Sequence, residues 1–231
     1  MTAIMNKNKN NSGEGAYNAI LGGIMSGELK PGLIVSEHTL SEMYNVGRTP
    51  VREALKRLEG EGFIINSDRK KKIYSLTVDD IREIFDLKME IEGMVAYKAA
   101  VSKNKKDIAV MEKLLKEMDV IAEQLRQKEG LADSHDIEGW LDIDSRFHDH
   151  LYKMANNARA KTIIDNLNAQ WHRIRVGLSA VTGHLEGSVK EHQRIAIAVL
   201  NKEPEVASAA IKAHFNNLKS RIVTLMKTFQ N

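Results

Sequence analysis

Between Leu40 and Ile64 the chain reads LSEMYNVGRTPVREALKRLEGEGFI, and this stretch leaves few folds open. It spells two short helices, a tight turn and the start of a strand. The first helix carries Leu40, Met43 and Tyr44, and the turn is Asn45-Val46-Gly47. Thr49 can cap the second helix, because its hydroxyl can accept from a free backbone N–H of the first turn. Pro50 suits the first helical position, where no N–H is needed. Val51, Ala54, Leu55 and Leu58 recur at helical spacing on one face, while Arg48, Arg52, Lys56 and Arg57 lie mostly elsewhere and face out. Gly60 and Gly62 stop the helix. A helix buried on one side and cationic on the other suits the major groove of DNA. A cationic face is also how an ordinary solvated helix looks, so the spacing alone keeps both readings open.

The flanks add to the same unit. A short helix is expected from Ala16 to Met25, with Ile20, Leu21 and Ile24 as its apolar side, and LKPG is a turn. Ser36 is placed to cap the helix that begins at Glu37. Phe63-Ile64-Ile65 and Ile73-Tyr74-Ser75-Leu76 read as two strands, joined by a strongly basic loop from Asn66 to Lys72. Beside a recognition helix, Lys70 and Lys71 would meet phosphates and release counterions; elsewhere the same loop would be a solvated edge.

From Thr77 onward turn chemistry thins out. Only three prolines occur in 231 residues, and long periodic segments predict helices near Asp80–Ser102, Asp107–Glu129, Asp136–Met154, Ala160–Ala180, Gly187–Asn201 and Pro204–Phe229. The fold class expected is mainly α: a winged helix-turn-helix domain over residues 16–77 and an all-α helical bundle over 78–231. Residues 1–15, rich in Asn, Lys and Gly, are expected to form a disordered arm. Hydrophobic residues make up 42% of the chain, enough for a real core in each domain. Cysteine is absent, which rules out disulfides and thiolate metal sites and fits a reducing cytoplasm. A net charge of +3 does not by itself demand nucleic acid. No apolar run approaches the roughly 18 residues that span a bilayer, and no signal-peptide core is present, so no membrane partner is expected.

Four residues of the helical half carry a second signal. Asp144 and His148 stand four apart on the apolar stripe Leu141–Asp144–His148–Leu151–Ala155. His192 falls on the stripe Val189–His192–Ala196–Val199, and His214 on Ile211–His214–Leu218–Ile222. A buried ionisable group needs a partner or must give up its charge. Three imidazoles and a carboxylate on core-facing stripes can satisfy one another around a divalent cation, with Zn²⁺, Ni²⁺ or Mn²⁺ suited to such donors. The competing reading is three separate core histidines, each bonded to a backbone carbonyl. His38, His135, His150, His172 and His184 are taken as the background of unselected placement. Lys88 also lies on an apolar stripe, Ile81–Ile84–Lys88–Ile91–Val95, and either faces inward or snorkels.

The segment GELKPGLIVSEHTLSEMYNVGRTPVREALKRLEGEGFI closely resembles the winged helix-turn-helix of GntR-family transcription regulators. One departure is Gly47, where the family usually has Ser, a change that removes a phosphate contact or a helix cap. A second is the wing, where Arg69-Lys70-Lys71-Lys72 stands in place of the family's glycine. The helical remainder resembles the effector-binding FCD domain of the family's FadR-like branch. DSRFH, KEHQRI and IKAHF stand where metal-binding FCD domains place an Asp-x-x-x-His, a His at an E-H helix start and a His near the end of the last helix. The resemblance implies a metal whose open positions hold a small carboxylate effector. It also points to Lys88, where the family commonly has Arg, and to Arg173 or Arg175 as effector-binding positions.

Together these readings predict a transcription regulator, expected to be a repressor, binding a palindromic operator in double-stranded DNA as a homodimer. Ser36, Arg48, Thr49, Arg52, Arg57, Lys70 and Lys71 are the expected DNA contacts. Asp144, His148, His192 and His214 are the expected metal ligands, and a small organic acid the expected effector. Two alternatives remain in play: a regulator for which the ion itself is the signal, and a metal-dependent hydrolase. Against the hydrolase, no general base accompanies the candidate ligands and no H-E-x-x-H or nucleophile motif occurs.

Overall fold

The structure is a computed structural model that describes residues 12–67, 69–128, 133–181 and 185–230; side chains at 134, 171–181 and 228–230 also lie outside the description. The elements run α1 (Gly13–Ser26), β1 (Ile34–Val35), α2 (Glu37–Tyr44), α3 (Arg48–Gly60), β2 (Ile64–Ser67), β3 (Lys70–Ile73), α4 (Val78–Ala100), α5 (Lys105–Gln127), α6 (Ser134–Ala155), α7 (Ala158–Val181), α8 (Leu185–Leu200) and α9 (Pro204–Gln230). The chain divides into two compact units, Met1–Thr77 with Gln170–Arg173, and Val78–Ala169 with Ile174–Asn231.

In the first unit α1 packs on α3, and α3 also packs on α2 and β2. Ile20, Ile24, Leu40, Val51, Leu55, Leu58 and Ile64 fill the space between them. Each such aliphatic side chain contributes about 1.5–3 kcal/mol when fully buried. α1 starts at Gly13, earlier than the sequence suggests, because Ser12 accepts from Gly15 N–H and caps it. Residues 13–15 are therefore helical, and residues 1–11 lie outside the described residues. Met43 is 51% exposed, and within α2 Leu40 is the residue buried in the core.

The helix turn carries its own chemistry. Ser36 and Thr39 form a reciprocal capping box at the start of α2. Asn45 takes the left-handed conformation that ends it (φ 51°). Thr49 is not the cap of α3. The helix begins earlier, at Arg48, with Gly47 as N-cap and no side-chain cap bond. Pro50 is consequently the third helical residue rather than the first, still among the N–H groups that need no helical partner.

The wing also differs from expectation. The expected loop Asn66–Lys72 is mostly strand: β2 and β3 pair from Ile64↔Ile73 to Ser67↔Lys70, and the sheet order is β1-β3-β2. A lysine run has weak strand propensity, but here it is the middle strand, with Ile34↔Lys72 and Val35↔Lys71 paired on its other side. Ladder bonds on both edges fix it. Arg69 sits at the hairpin tip with φ 62°, a conformation that glycine adopts more easily.

The regular elements described in the second unit are all helices. α4 packs extensively on α9; α5 packs on α6 and α8, α8 on α9, and both α6 and α8 on α4. The six helices lie within a few residues of their expected bounds. Phe85, Val95, Met111, Phe147, Leu151, Ile195, Ile211 and Ile222 are core residues. Lys212 to Glu90 (2.7 Å) and Lys219 to Asp86 (2.8 Å) tie α9 to α4 along its outer edge. Among the described residues no helix is long and apolar enough to cross a membrane.

Candidate nucleic-acid interface and three-histidine centre

α3 buries Val51, Ala54, Leu55 and Leu58 and leaves Arg48, Thr49, Arg52, Lys56 and Arg57 exposed. The exposed cations are not equivalent. Arg52 is held by Glu37 of α2 through two parallel bonds, Nε to Oε1 at 2.7 Å and Nη2 to Oε2 at 2.8 Å. Those hydrogen bonds hold the Glu37 carboxyl below its usual pKa. Arg48 Nη2 lies 3.5 Å from His38 Nδ1. Both arginines thus sit where α2 and α3 meet.

Arg57 is engaged elsewhere. Its guanidinium lies 3.6 Å from the Tyr17 ring centroid and bonds Glu61 (3.0 Å) and Glu14 (2.9 Å). Two carboxylates and an aromatic face already match its charge, so its partners lie on α1 and at the end of α3. Tyr17 donates to Glu61 at 2.7 Å, and burial together with that bond pushes its hydroxyl up to about 12. Lys71 pairs with Glu59 and lies 3.5 Å from Asn66 Oδ1, tying the wing to the recognition helix. Lys70 and Arg69 at the hairpin tip are exposed. Ser36 is exposed too, with its hydroxyl accepting the Thr39 N–H at 3.1 Å.

In the helical unit His148, His192 and His214 come together, each offering one ring nitrogen within 4.8 Å of the others. α6, α8 and α9 each supply one ring. His192 and His214 are buried, and His148 nearly so. Asp144, one turn before His148, brings Oδ1 to 3.0 Å from His192 Nε2 and 3.9 Å from His148 Nε2.

The hydrogen positions follow from the outer partners. His192 Nδ1 faces the Ser188 carbonyl at 2.8 Å. A carbonyl only accepts, so the hydrogen is on Nδ1. His148 Nδ1 faces Glu92 at 3.1 Å, and His214 Nδ1 faces Glu191 at 2.7 Å. Burial opposes ionisation of Glu92, but the Lys88 ammonium and His148 overcome it and hold the carboxyl at about 2. Burial likewise opposes the Glu191 charge, and bonds from His214 and Asn217 outweigh it. Both carboxylates are acceptors, so each of these Nδ1 atoms also carries its hydrogen. Burial, and then repulsion from His192 and His148, pushes His214 down to about 4 despite Glu191. In the neutral form of each ring the lone pair is on Nε2. His148 and His192 then face each other Nε2 to Nε2 at 3.2 Å. With all three rings neutral, lone pairs and a carboxylate would converge there, an arrangement that accommodates a cation.

Glu92 and Glu191, which orient two of the rings, were missed by sequence reasoning. A signal existed: Glu92 follows Lys88 by one turn, and Glu191 directly precedes His192. Lys88 does not snorkel. It is 2% exposed, with Nζ 2.9 Å from Glu92 Oε1, 2.6 Å from Asn168 Oδ1 and 4.6 Å from the Phe215 ring centroid. His150, taken as background, is in fact buried and bonds the Asp107 carbonyl at 2.7 Å, as a core histidine does. The side chains of His172, Arg173 and Arg175, and all of His184, lie outside the described residues.

Comparison with known proteins gives both units relatives. YdhC, an HTH-type transcriptional regulator of Bacillus subtilis (strain 168), is 28% identical over 202 residues, 87% of this chain and 86% of that protein. The gluconate operon transcriptional repressor of the same organism is 25% identical over 207 residues, covering 87% of this chain and 81% of the repressor. The structure of E. coli McbR/YncC superposes with a TM-score of 0.67 over 93% of this chain and 98% of that one, at 18% identity, a likeness of fold. Residues 13–70 match the bacterial regulatory proteins of the gntR family, and residues 83–217 match the FCD domain. The chain belongs to the GntR family, as a DNA-binding transcriptional regulator with a helix-turn-helix head and an FCD domain, and not to a family of enzymes.

Proposed function

We propose that this regulator is a repressor whose hold on a palindromic operator is set by a small carboxylate effector bound at a divalent metal in the FCD domain. The observation that carries the metal is the convergence of one ring nitrogen from each of three histidines, with an acceptor facing each Nδ1. His148, His192 and His214, with Asp144, would hold Zn²⁺, Ni²⁺ or Mn²⁺. When bound, the ion supplies a positive charge with coordination positions open to a carboxylate. Lys88 acts through Glu92, since its ammonium already faces that carboxylate. Arg173, the other expected effector contact, has its side chain outside the described residues.

On the DNA side, Arg48 and Arg52 read bases, Thr49 and Ser36 lie at the helix starts beside the backbone, and Lys70 reaches phosphate from the wing. Arg57 and Lys71 position the head: Arg57 stacks on Tyr17 and pairs with Glu14 of α1 and Glu61, away from the α2–α3 junction, and Lys71 ties the wing to α3 through Glu59. The domain division proposed is a head from Gly13 to Thr77 and a helical regulator over 78–231; residues 13–15, expected in the arm, belong to α1.

A two-fold dimer accounts for a feature of α4. Leu87 and Met94 of α4, and Val101 just past its end, are spaced by seven and 55%, 40% and 52% exposed, and Tyr97 at 42% flanks them. An apolar stripe along one helix pairs well with its own copy across a two-fold axis. Sedimentation should give a dimer for the full chain and a monomer for Met94→Glu; a dimer in both removes α4 as the contact.

The test of the whole reading is operator release. A duplex selected by the protein from a randomised pool is titrated with metal-stripped and Zn²⁺-loaded protein, with and without a panel of small organic acids. Release by an acid in the loaded protein alone supports the reading. Release by metal without any acid makes the ion the signal. No response to either overturns regulation at this site.

A further inference from the structure

The recognition arginine is not a loose cation, and the group that holds it carries information of its own. Glu37 is the first residue of α2, directly after the Ser36 cap, and the Ser36–Thr39 capping box fixes its backbone. Its carboxylate grips one edge of Arg52, Nε at 2.7 Å and Nη2 at 2.8 Å. A guanidinium has five N–H groups in a rigid plane. The Glu37 fork uses two of them, on the side edge. The end edge, formed by Nη1 and the second hydrogen of Nη2, keeps the parallel geometry that matches guanine O6 and N7 in the major groove. An arginine on a free stem would instead settle on any phosphate in reach.

Glu37 also acts by its sign. Its side chain is one-third exposed, so it places a negative charge near the surface that Arg48 and Arg52 make positive. A carboxylate there opposes phosphates of every sequence alike, while the orientation it imposes on Arg52 favours one base. Its two effects push in opposite directions: general attraction to DNA falls, and discrimination rises.

We propose that Glu37 is a specificity-determining residue: it orients Arg52 for guanine and weakens binding to unrelated sequence. The proposal rests on the reading of Arg52 as a base contact. Glu37 is a positioning residue, since it acts through Arg52 and not on the base.

The experiment uses full-length protein, one duplex selected from a randomised pool by the wild type, and a scrambled duplex of equal length. Glu37→Gln keeps the shape of the side chain and removes the charge. It should reduce the preference for the selected duplex about tenfold, within the range one bidentate base contact supplies, while affinity for the scrambled duplex stays level or rises. A loss of fold would lower both affinities together, and a circular-dichroism melt records it. Glu37→Asp, which keeps the charge on a shorter arm, should bind the scrambled duplex like the wild type and retain part of the preference. In an Arg52→Ala background, Glu37→Gln should leave the preference unchanged. Retained preference in Glu37→Gln, with preference lost in Arg52→Ala, overturns the role of Glu37 alone. Retained preference in Arg52→Ala overturns the reading of Arg52 and the proposal with it.

Discussion

His148 and His192 approach Nε2 to Nε2 at 3.2 Å, although each ring has already committed its hydrogen to a partner at Nδ1. Trp140 packs edge-on against His192, ring centroids 4.9 Å apart, and so reports on that contact. The chain has two tryptophans, so Trp171→Phe isolates Trp140. Zn²⁺ titrated into chelator-treated protein should change Trp140 emission with one-to-one saturation. His192→Ala and His214→Ala should abolish the change. A His214→Ala protein that titrates like the wild type would remove the third ring from the centre.

Lys88 and Glu92 form a buried pair, each 2% exposed. Removing one charge strands the other, so Lys88→Met should cost about 3–5 kcal/mol in urea melts of metal-free protein. Lys88→Met with Glu92→Leu should recover most of that loss. Glu92→Gln removes an ionised partner from His148 and should weaken Zn²⁺ binding roughly 10–100-fold. Unchanged Zn²⁺ affinity would show that Glu92 serves the fold only.

Acid should destabilise the metal-free helical unit in two steps. The His214 pKa is depressed to about 4 from the ordinary 6.5, so between those values the unfolded chain binds more protons. Its stabilising contribution is complete above pH 6.5 and is lost as pH falls towards 4. Glu92, depressed to about 2 from 4.5, contributes fully above pH 4.5 and loses its contribution between 4.5 and 2. Denaturant melts across this range should show stability falling from pH 6.5 downward in the wild type. His214→Asn should flatten the upper step only, and an unchanged upper step in that variant would contradict the assignment.

Arg57→Ala should behave unlike Arg52→Ala. Loss of the Tyr17 face and of two exposed ion pairs should destabilise the head by about 1–2 kcal/mol, with the preference for selected over scrambled DNA intact. Melting and binding measured on the same preparations separate the two effects. Lost preference with unchanged melting would return Arg57 to the interface.

Arg69→Gly should relieve left-handed strain at the wing tip, raising stability by about 1 kcal/mol. The same change removes a cation, so the slope of log affinity against log salt should become shallower by up to about 0.9. Greater stability with an unaltered slope would show that Arg69 makes no phosphate contact.

Much of this architecture was legible because its signals are local. Apolar spacing placed Val51, Ala54, Leu55 and Leu58 on one face of α3, and the stripes through His148, His192 and His214 all turned out to face one interior. What the sequence did not show depends on distant partners. Lys70–Lys72 became a central strand because β1 and β2 flank it, and nothing in a lysine run announces that. Arg57 looked like its neighbours on α3 until Tyr17 and Glu14, some forty residues earlier, met it. Glu92 was hidden on the far side of His148, since a residue that orients a ligand has no spacing rule relative to it.

The three rings are clamped from behind by a carboxylate, a carbonyl and a second carboxylate, so folding itself sets their angles. A cage built in this way cannot remould itself around whichever ion arrives. With the proposed metal bound, such a centre would select by coordination geometry, and the choice among transition metals would become a property of helix packing: shifting α8 against α6 would retune metal preference without touching a single ligand.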